Sequence, residues 1–505
     1  MAMCPTTLAD LPIHARELAA DSLVWMDQFW SSGDCLLVLE PPGTDPRKPG
    51  VRNSSWYALA LLMRQADGDL ERATRTIDAV LATQFDEPNA PYHGTFPRWL
   101  GEPHPPVDAV MWRDYDPNWR QFVGTIWALI LDAYEPLLPE DLTQRLERSI
   151  QLAVLGEPPD RCPPSYTNIA LLKAGLLTWS GNRFERPEWT EYGETFGQAV
   201  FDLFQEHTAF YEYNSPTYGG TDFYALAFWK NHAQSSLLGE HGAEMEAALW
   251  RDVARYYHAG LGNVCGPFSR SYGMNMLDYG AILGLTIWLA VGRTAAPFPD
   301  EPGLFEHCHD YCFGPLLAFV GVEVPQDVIQ DFLGFSEERL VRHQISSQPL
   351  RIATAWLGED RMIGAESVQF DEATRQGYRP LGDQYHPVTM HWRMPSGEIG
   401  WMRLRHEGPV DAQAEPNTLS IAGYVDEFFA ARGSRAHYEY TFEIHLPGAG
   451  ETATIATDTW QLPGLTAELQ TPLSKPAVER ERDTIRITYQ AQEDQEIARF
   501  RFRVR

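Results

Sequence analysis

Apolar positions change period part-way along the chain. From about residue 8 to about residue 320 they recur at helical spacing. They predict helices over 8–30, 54–66, 69–84, 119–134, 139–155, 167–179, 187–206, 221–238, 243–259, 274–291 and 304–320. Asp69 behind Gly68 and Pro187 at a first-turn position mark two of the starts. Pro and Gly punctuate the connections at Pro41-Pro42-Gly43, 103–106 and Cys162-Pro163-Pro164. Helices of this length in antiparallel hairpins close as a ring of pairs or wind as an irregular α-superhelix, and periodicity does not choose between them.

From about residue 345 the period becomes two. Strands are expected over 351–357, 362–369, 387–394, 398–406, 418–424, 437–446, 452–461, 484–490 and 499–505, the last alternating Phe with Arg. Pro395-Ser396-Gly397, Pro447-Gly448 and Pro463-Gly464 supply turns between them. Many short strands at this spacing suggest an antiparallel β-sandwich. The expected organisation is therefore α then β: a helical domain over 1–330 and a β-sandwich domain over 331–505.

Composition narrows the partners. The 505 residues carry 40 basic and 69 acidic side chains, a formal charge of −29. Nucleic acid and anionic membrane are not expected as partners, because phosphate binding needs a basic footprint. The same balance speaks at first sight against any polyanion. Only Lys48, Lys173, Lys230 and Lys475 are lysines, so the remaining 36 basic residues are arginines, the type suited to bidentate carboxylate recognition. No apolar run of about 18 residues exists to span a membrane. The first residues, Met1-Ala2-Met3-Cys4-Pro5-Thr6, show no basic segment followed by an apolar one, so the cytoplasm is expected unless a leader was trimmed. Six cysteines are too few for a disulfide framework. The run His307-Cys308-His309-Asp310-Tyr311-Cys312 fits no standard zinc spacing and no second cluster accompanies it; neither a metal nor a cofactor is expected. Phosphate-loop, serine-hydrolase-elbow and H-E-x-x-H patterns are absent.

The densest polar-aromatic segment runs from Glu206 to Asp222 and includes His207, Glu212, Tyr213, Asn214, Pro216, Tyr218, Gly219 and Gly220. Pro216 and the two glycines make it a loop that opens a helix, and the glycines would let a substrate come close to the backbone. Read alone, such a loop also packs as a Tyr-rich rim. Three further segments add to it: Asn168 in Pro164-Ser165-Tyr166-Thr167-Asn168 at a helix start, Arg270 and Tyr272 in Phe268-Ser269-Arg270-Ser271-Tyr272-Gly273, and Trp119-Arg120 after Asn118.

The order of these parts resembles the α/α-toroid polysaccharide lyases: Asn at a helix start, His207 followed eleven residues later by Tyr218-Gly219, then a Phe-Ser-Arg loop. The hyaluronate/chondroitin lyase type and the related heparinase II/III, alginate and glucuronan lyases are meant. The resemblance covers about residues 110–290, and Trp356-Leu357-Gly358-Glu359-Asp360-Arg361-Met362-Ile363-Gly364 and Asp383-Gln384-Tyr385-His386-Pro387 look like segments of the heparinase-type β-domain. It implies a toroid, or incomplete helical barrel, and β-elimination at a 4-linked uronic acid in an anionic oligo- or polysaccharide.

The acidity of C5–H is weak while the neighbouring carboxylate is negative, so the carboxylate must be neutralised before a base and an acid can act. Carried over by motif, Asn168 holds the carboxylate, Tyr218 serves as general acid and also as base, Arg270 is the cation that lowers its pKa, and His207 is the base or a second neutraliser. Tyr213, Asn214 and Tyr272 are expected to assist, and His386 to reach the cleft from the β-domain. Trp112 and Trp119, with Arg120 and Arg113 beside them, suit the stacking and charge of an anionic sugar.

Two other classes compete. A glycoside hydrolase on the same toroid would use two carboxylates, Asp114 or Asp116 with Glu212 or Asp222. A non-catalytic carbohydrate-binding protein would keep the aromatics and tolerate Tyr218→Phe.

Overall fold

The computed structural model describes residues 7–39, 47–300, 307–369, 384–406, 408–424, 438–492 and 497–505. The Pro41–Gly43 turn, the first residues of the expected 304–320 helix, Asp383 and His437 lie outside them. The chain divides into two compact units: Met1–Phe204 with Tyr218–Leu249 and Leu277–Pro325, and Gln205–Thr217 with Trp250–Met276 and Gln326–Arg505.

The first unit is helical. Its helices are α1 (Ile13–Asp27), α2 (Val51–Arg64), α3 (Asp69–Leu81), α4 (Trp119–Tyr134), α5 (Glu140–Leu155), α6 (Thr167–Arg183), α7 (Pro187–Gln205), α8 (Gly219–Asn231), the start of α9 (Ser236–Tyr256), α10 (Ile282–Val291) and α11 (Gly314–Val320). A small hairpin of β1 (Trp30–Ser31) and β2 (Leu36–Leu37) precedes α2. Helices α2, α4, α6 and α8 are buried on nearly every side, whereas α3, α5 and α7 bury one stripe. Two patterns of apolar residues thus give two layers: all-round apolar helices form the inner wall and amphipathic helices cover it. In the wall α2 packs on α4, α4 on α6 and α6 on α8; α11 touches both α8 and α2 and closes the ring, with α1 and α10 against it. This is an α/α toroid.

Short connections reverse the chain after α2, α4 and α6, so these helices run parallel and begin at one end of the ring. There Asn118 Nδ2, before α4, donates to Tyr166 Oη, before α6, at 2.9 Å. The Arg52 guanidinium of α2 lies 5.4 Å from the Trp119 ring of α4.

The second unit is mainly β. A short hairpin of β3 (Tyr257–His258) and β4 (Asn263–Val264) comes first, and α12 (Ile329–Leu333) leads into the strands. These are β5 (Arg339–Ser347), β6 (Leu350–Leu357), β7 (Arg361–Gln369), β8 (Val388–Arg393), β9 (Ile399–Arg405), β10 (Val410–Glu415), β11 (Thr418–Tyr424), β12 (Glu439–His445), β13 (Thr454–Ile455), β14 (Thr459–Leu462), β15 (Leu465–Gln470), β16 (Ala477–Glu481), β17 (Thr484–Gln490) and β18 (Ile497–Val504). They form an eight-stranded antiparallel sheet, β16-β17-β12-β9-β8-β7-β6-β5, and a six-stranded one, β10-β11-β18-β15-β14-β13. Between them Phe442 packs edge-on against Trp460 and Phe502, with ring centroids 5.5 and 5.2 Å apart. Each such buried ring contributes about 1.5–3 kcal/mol. The other face of the large sheet is covered by a smaller core in which Ala209, Tyr213, Tyr256 and Cys265 meet Val341, Ala353, Ala355 and Met362.

Several expected elements shift. The expected helix over 274–291 starts only at Ile282, because 273–281 is loop. Pro12 divides the expected 8–30 helix into a 3-10 turn and α1. The 221–238 and 243–259 pair becomes α8 and a longer α9. Strands β5, β10, β15 and β16 are not among the expected ones: β10 and β15 do alternate but are only six residues long, and β16 is exposed along its whole length.

Candidate active site

In the helical unit, Asn168 is the second residue of α6 and only 1% exposed. Neither its amide nitrogen nor its amide oxygen has a hydrogen-bond partner among the described residues. A buried unmet polar group costs about 1–3 kcal/mol, so an amide with both ends unmet calls for an explanation. Its neighbour Asn118 is the opposite case: it accepts from Arg161 Nη1 at 2.8 Å while donating to Tyr166. Each helix start also contributes unpaired N–H groups and the positive end of its dipole. Arg161 is already paired with the buried Glu157 carboxylate at 2.8 and 3.0 Å, so it is the three parallel starts, with Arg52 beside them, that favour an anion at this end of the ring.

Tyr218 is half-buried and directly precedes α8, its carbonyl accepting from Asp222 N at 3.0 Å. Of the two glycines after it, Gly220 has a packing role. A Cβ on Gly220 would overlap the Ile282 backbone, so this glycine permits close packing of α8 on α10. Arg120 is fully buried and donates to the carbonyls of His93, Pro91 and Pro117 at 2.9, 2.8 and 3.3 Å. Burial brings its pKa down to about 10. Trp119 is buried beneath Arg52, whereas Trp112 is 55% exposed. Arg120 and Trp119 therefore belong to the wall, and Trp112 offers a free ring face.

Asp114 is held by the adjacent Arg113 at 2.7 Å, which lowers its pKa. Asp116 accepts from Asn118 N at 2.9 Å, and burial raises its pKa. His307, His309 and Asp310 bring one ligand atom each within 4.8 Å of one another. Burial and the charge of Arg52 hold His309 down at about 4, and burial raises Asp310 to about 6 despite the same guanidinium. A resident cation beside the group disfavours a divalent metal there.

In the β-rich unit the 205–217 and 262–276 loops are tied to one another and to the sheet. Arg270 Nη1 donates to Glu212 Oε1 at 2.9 Å and Nε to Gln384 Oε1 at 3.1 Å. Ser215 Oγ donates to Arg270 O at 2.6 Å, and Tyr272 N to Thr217 Oγ1 at 3.1 Å. Phe268 and His386 exchange backbone bonds at 3.0 and 2.9 Å. Gly266 and Gly364 stack without room for a Cβ, which brings the Arg270 loop onto β7.

The His386 Nε2–H donates to Ser271 O at 3.1 Å, which leaves Nδ1 as the lone-pair nitrogen, and no described residue donates to it. Burial, reinforced by Arg403 and Arg405, pushes its pKa down to about 3, so the imidazole is neutral at ordinary pH. Arg403, Arg405 and Arg486 surround the Glu443 carboxylate at 2.5, 3.4 and 3.3 Å, an excess of positive charge on the face of β9 and β12. Only the alternation Trp401, Arg403, Arg405 in β9 hinted at this group, and Glu443 is set opposite Arg403 by strand register.

A second cluster holds the other expected helpers. Tyr213 Oη donates to Asp252 Oδ1 at 3.0 Å, and Asp252 also takes His343 Nδ1 at 3.2 Å and Arg255 at 2.6 Å. Burial and the Asp252 charge push the Tyr213 pKa well up. His207 contacts Ser347 Oγ through Nε2 at 2.9 Å, and its carbonyl accepts from His343 Nε2 at 2.9 Å. Asn214, at φ +48°, donates to Cys265 O and Pro267 O at 2.7 and 2.9 Å. The structure thus gathers Arg270, Tyr272 and His386 around one loop, and ties His207 and Tyr213 to β5; Asn214 is committed to backbone carbonyls.

By sequence the chain belongs to the family described as Domain of unknown function (DUF8769), matched over residues 16–321. Residues 337–502 match a second family, Domain of unknown function (DUF8770). The comparison with curated proteins finds no match. Among solved structures the chain is similar to heparinase III, at 9% identity and a TM-score of 0.47, over 98% of this chain and 85% of that one. It is also similar to the Streptomyces coelicolor A3 chondroitin AC lyase in complex with chondroitin sulphate, at 11% and 0.45 over 97% and 79%. A Paenibacillus xanthan lyase follows at 10% and 0.42, over 97% and 57%.

Proposed function

We propose that this protein is a polysaccharide lyase that cleaves a uronic-acid-containing oligo- or polysaccharide by β-elimination. The observation that carries the proposal is the unmet, buried amide of Asn168 at the first turn of an inner helix, at the end of the ring where the helix starts and Arg52 favour an anion. An amide donor suits a carboxylate whose charge grows as C5 loses its proton, and it acts where the enolate-like charge develops. Tyr218 takes or gives the moving proton: the C5–H pair becomes the C4=C5 bond, the C4–O bond breaks, and the leaving oxygen gains a proton. Arg270 supplies the cation, its plane fixed by Glu212 and Gln384. His207 serves as base or second neutraliser. His386, held neutral, acts as a hydrogen-bond acceptor. Trp112 is the stacking surface, while Trp119 and Arg120 support the wall.

Asp116 gives a second reading some footing, since its raised pKa suits the general acid of a hydrolase. The two differ in product. Elimination makes a C=C bond conjugated with the carboxylate, which absorbs in the ultraviolet; hydrolysis does not. Purified protein is screened against alginate, glucuronan, hyaluronan, chondroitin, heparan sulfate and ulvan. Ultraviolet-absorbing ends are expected from at least one, and release of reducing ends without absorbance establishes the hydrolase instead.

A further inference from the structure

The outer face of the six-stranded sheet carries a feature that β-elimination does not use. Strand β18 presents Arg499, Arg501 and Arg503 at alternate exposed positions, between buried Ala498, Phe500, Phe502 and Val504, and exposed Arg505 follows directly. Arg505 pairs with Glu468 at 2.5 Å. The other three have no ion-pair partner among the described residues, in a chain with 69 carboxylates and a charge of −29. Glu468 lies opposite Arg503 and Asp411 lies in the row of Arg499, so the local excess of positive charge is centred on Arg499 and Arg501.

Strand register builds a floor beside it. Ser420 of β11 and Gln470 of β15 lie opposite Arg501, and Gln413 of β10 lies opposite Ser420. One row thus crosses four strands as amide, hydroxyl, guanidinium and amide. In the next row Asp411, Ala422 and Arg499 stand side by side. Short Ser420 and Ala422 between longer arms leave a groove of about 560 Å³, closed at one side by Thr471 and Pro472. That volume lies within the range of about 300–1,000 Å³ typical of small-molecule sites.

We propose that this groove binds a carboxylate-bearing saccharide chain, as a site separate from the one that cleaves it. The guanidinium fork of Arg499 or Arg501 matches a carboxylate, while Gln413, Ser420 and Gln470 each donate and accept, as sugar hydroxyls require. The net charge does not oppose it, since potentials are screened beyond about 8 Å at physiological salt. The choice of a uronate chain rests on the lyase proposal above; the groove's preference for an anion does not. A second site raises the effective concentration of polymer at the first and is silent toward short oligomers.

The test is affinity electrophoresis of the full chain in gels containing glucuronan or alginate, with neutral dextran as the reference. The acidic polymers are expected to retard the wild type, and Arg499→Gln/Arg501→Gln to raise the apparent Kd about tenfold. Asp411→Asn removes the one carboxylate of the groove and is expected to tighten binding, a gain that misfolding cannot imitate. Asn168→Ala should keep the retardation while losing turnover. The groove assignment is overturned by unchanged retardation in the double variant, by weaker binding of Asp411→Asn, or by equal retardation in dextran. Arginine-dependent retardation in a protein that cleaves no uronate polymer supports the groove and removes the lyase; turnover with arginine-independent retardation does the reverse.

Discussion

The Arg270 guanidinium lies 2.9 Å from the Glu212 carboxylate, and each side chain is only 9% exposed. Removing one partner of such a pair strands the other charge in a poorly solvated place. Glu212→Gln keeps an oxygen that can accept from Arg270 but removes the charge that balances it, and is expected to lower stability by about 3 kcal/mol. It should also lower kcat/KM on the uronate substrate, because the plane of Arg270 is no longer fixed. Denaturant midpoints and initial rates check both. A midpoint equal to wild type would show that the Glu212 charge is not needed to hold the arginine.

Asn168 predicts the reverse combination. Its amide makes no hydrogen bond among the described residues, so Asn168→Ala forfeits none. The melting temperature is expected to hold or rise, while turnover falls about 10²–10³-fold, as for a lost donor to a developing oxyanion. Asn118→Ala is the control: it removes bonds to Tyr166 and Arg161 and should destabilise the toroid. Activity surviving in Asn168→Ala would remove the basis of the lyase proposal.

Tyr218→Phe keeps the ring and takes away the proton. A loss of about 10²–10⁴-fold in kcat is expected if the hydroxyl transfers a proton. Binding of the polymer, followed by affinity electrophoresis, should stay at the wild-type level. A variant with normal turnover would pass the acid role to another group.

The two-period pattern made the fold legible. Helices α2, α4, α6 and α8 read clearly because buried walls need long apolar runs, and the Phe-Arg alternation of 499–505 gave β18 and its outward arginines. Strands with a polar inner neighbour or a wholly exposed course, such as β16, gave no such signal. Among the candidate residues, chemistry by residue type was readable but partnership was not. Arg120 and Asn214 have the right side chains for a sugar, yet backbone carbonyls claim them. Carbonyl positions are set by tertiary packing, and no spacing rule reports them. Glu443 and its three arginines meet only through strand register, which separates them by as many as 43 residues along the chain.

Three buried imidazoles contribute to the loss of stability in acid. Burial pushes His386 to about 3 and holds His391 and His309 at about 4, below the ordinary 6.5. The folded state therefore binds fewer protons than the unfolded chain in this window. Their contribution is complete above the ordinary value and is lost as pH falls toward 3–4. Asp310 opposes them: its pKa, raised to about 6, gives a contribution present below 3.8 and lost as pH rises through about 6. Asp116 and Glu246, raised by burial, act in the same direction as Asp310, so the contribution of the imidazoles falls from neutral pH toward pH about 4 and the three carboxyls offset part of that fall. His391→Gln retains a donor for Met274 O and removes one titrating group. Its stability-against-pH slope near pH 5 should be shallower than wild type by about 1.4 kcal/mol per pH unit. Parallel curves for the two proteins would mean that His391 is not the buried neutral ring described.

Gly364 offers a test that separates position from chemistry. It touches no candidate residue, yet a Cβ there would overlap the Gly266 carbonyl, and Gly266 is itself pressed on Thr389. Neither backbone can give way cheaply, because β7 is hydrogen-bonded to β6 and β8. In Gly364→Ala the 262–276 loop must move off the sheet, and Arg270 moves with it away from Gln384. Overpacking of this kind costs about 1–3 kcal/mol. A shift of about 1 Å in a positioning group costs about 10²-fold in rate. Gly397→Ala is the comparison, since nothing lies within 4 Å of its Cβ position; only its φ of +94° is strained. The expected result is a folded Gly364→Ala protein with turnover down by about 10²-fold and a Gly397→Ala protein with turnover intact. Equal turnover in both would mean that the placement of Arg270 by the sheet does not bear on the reaction.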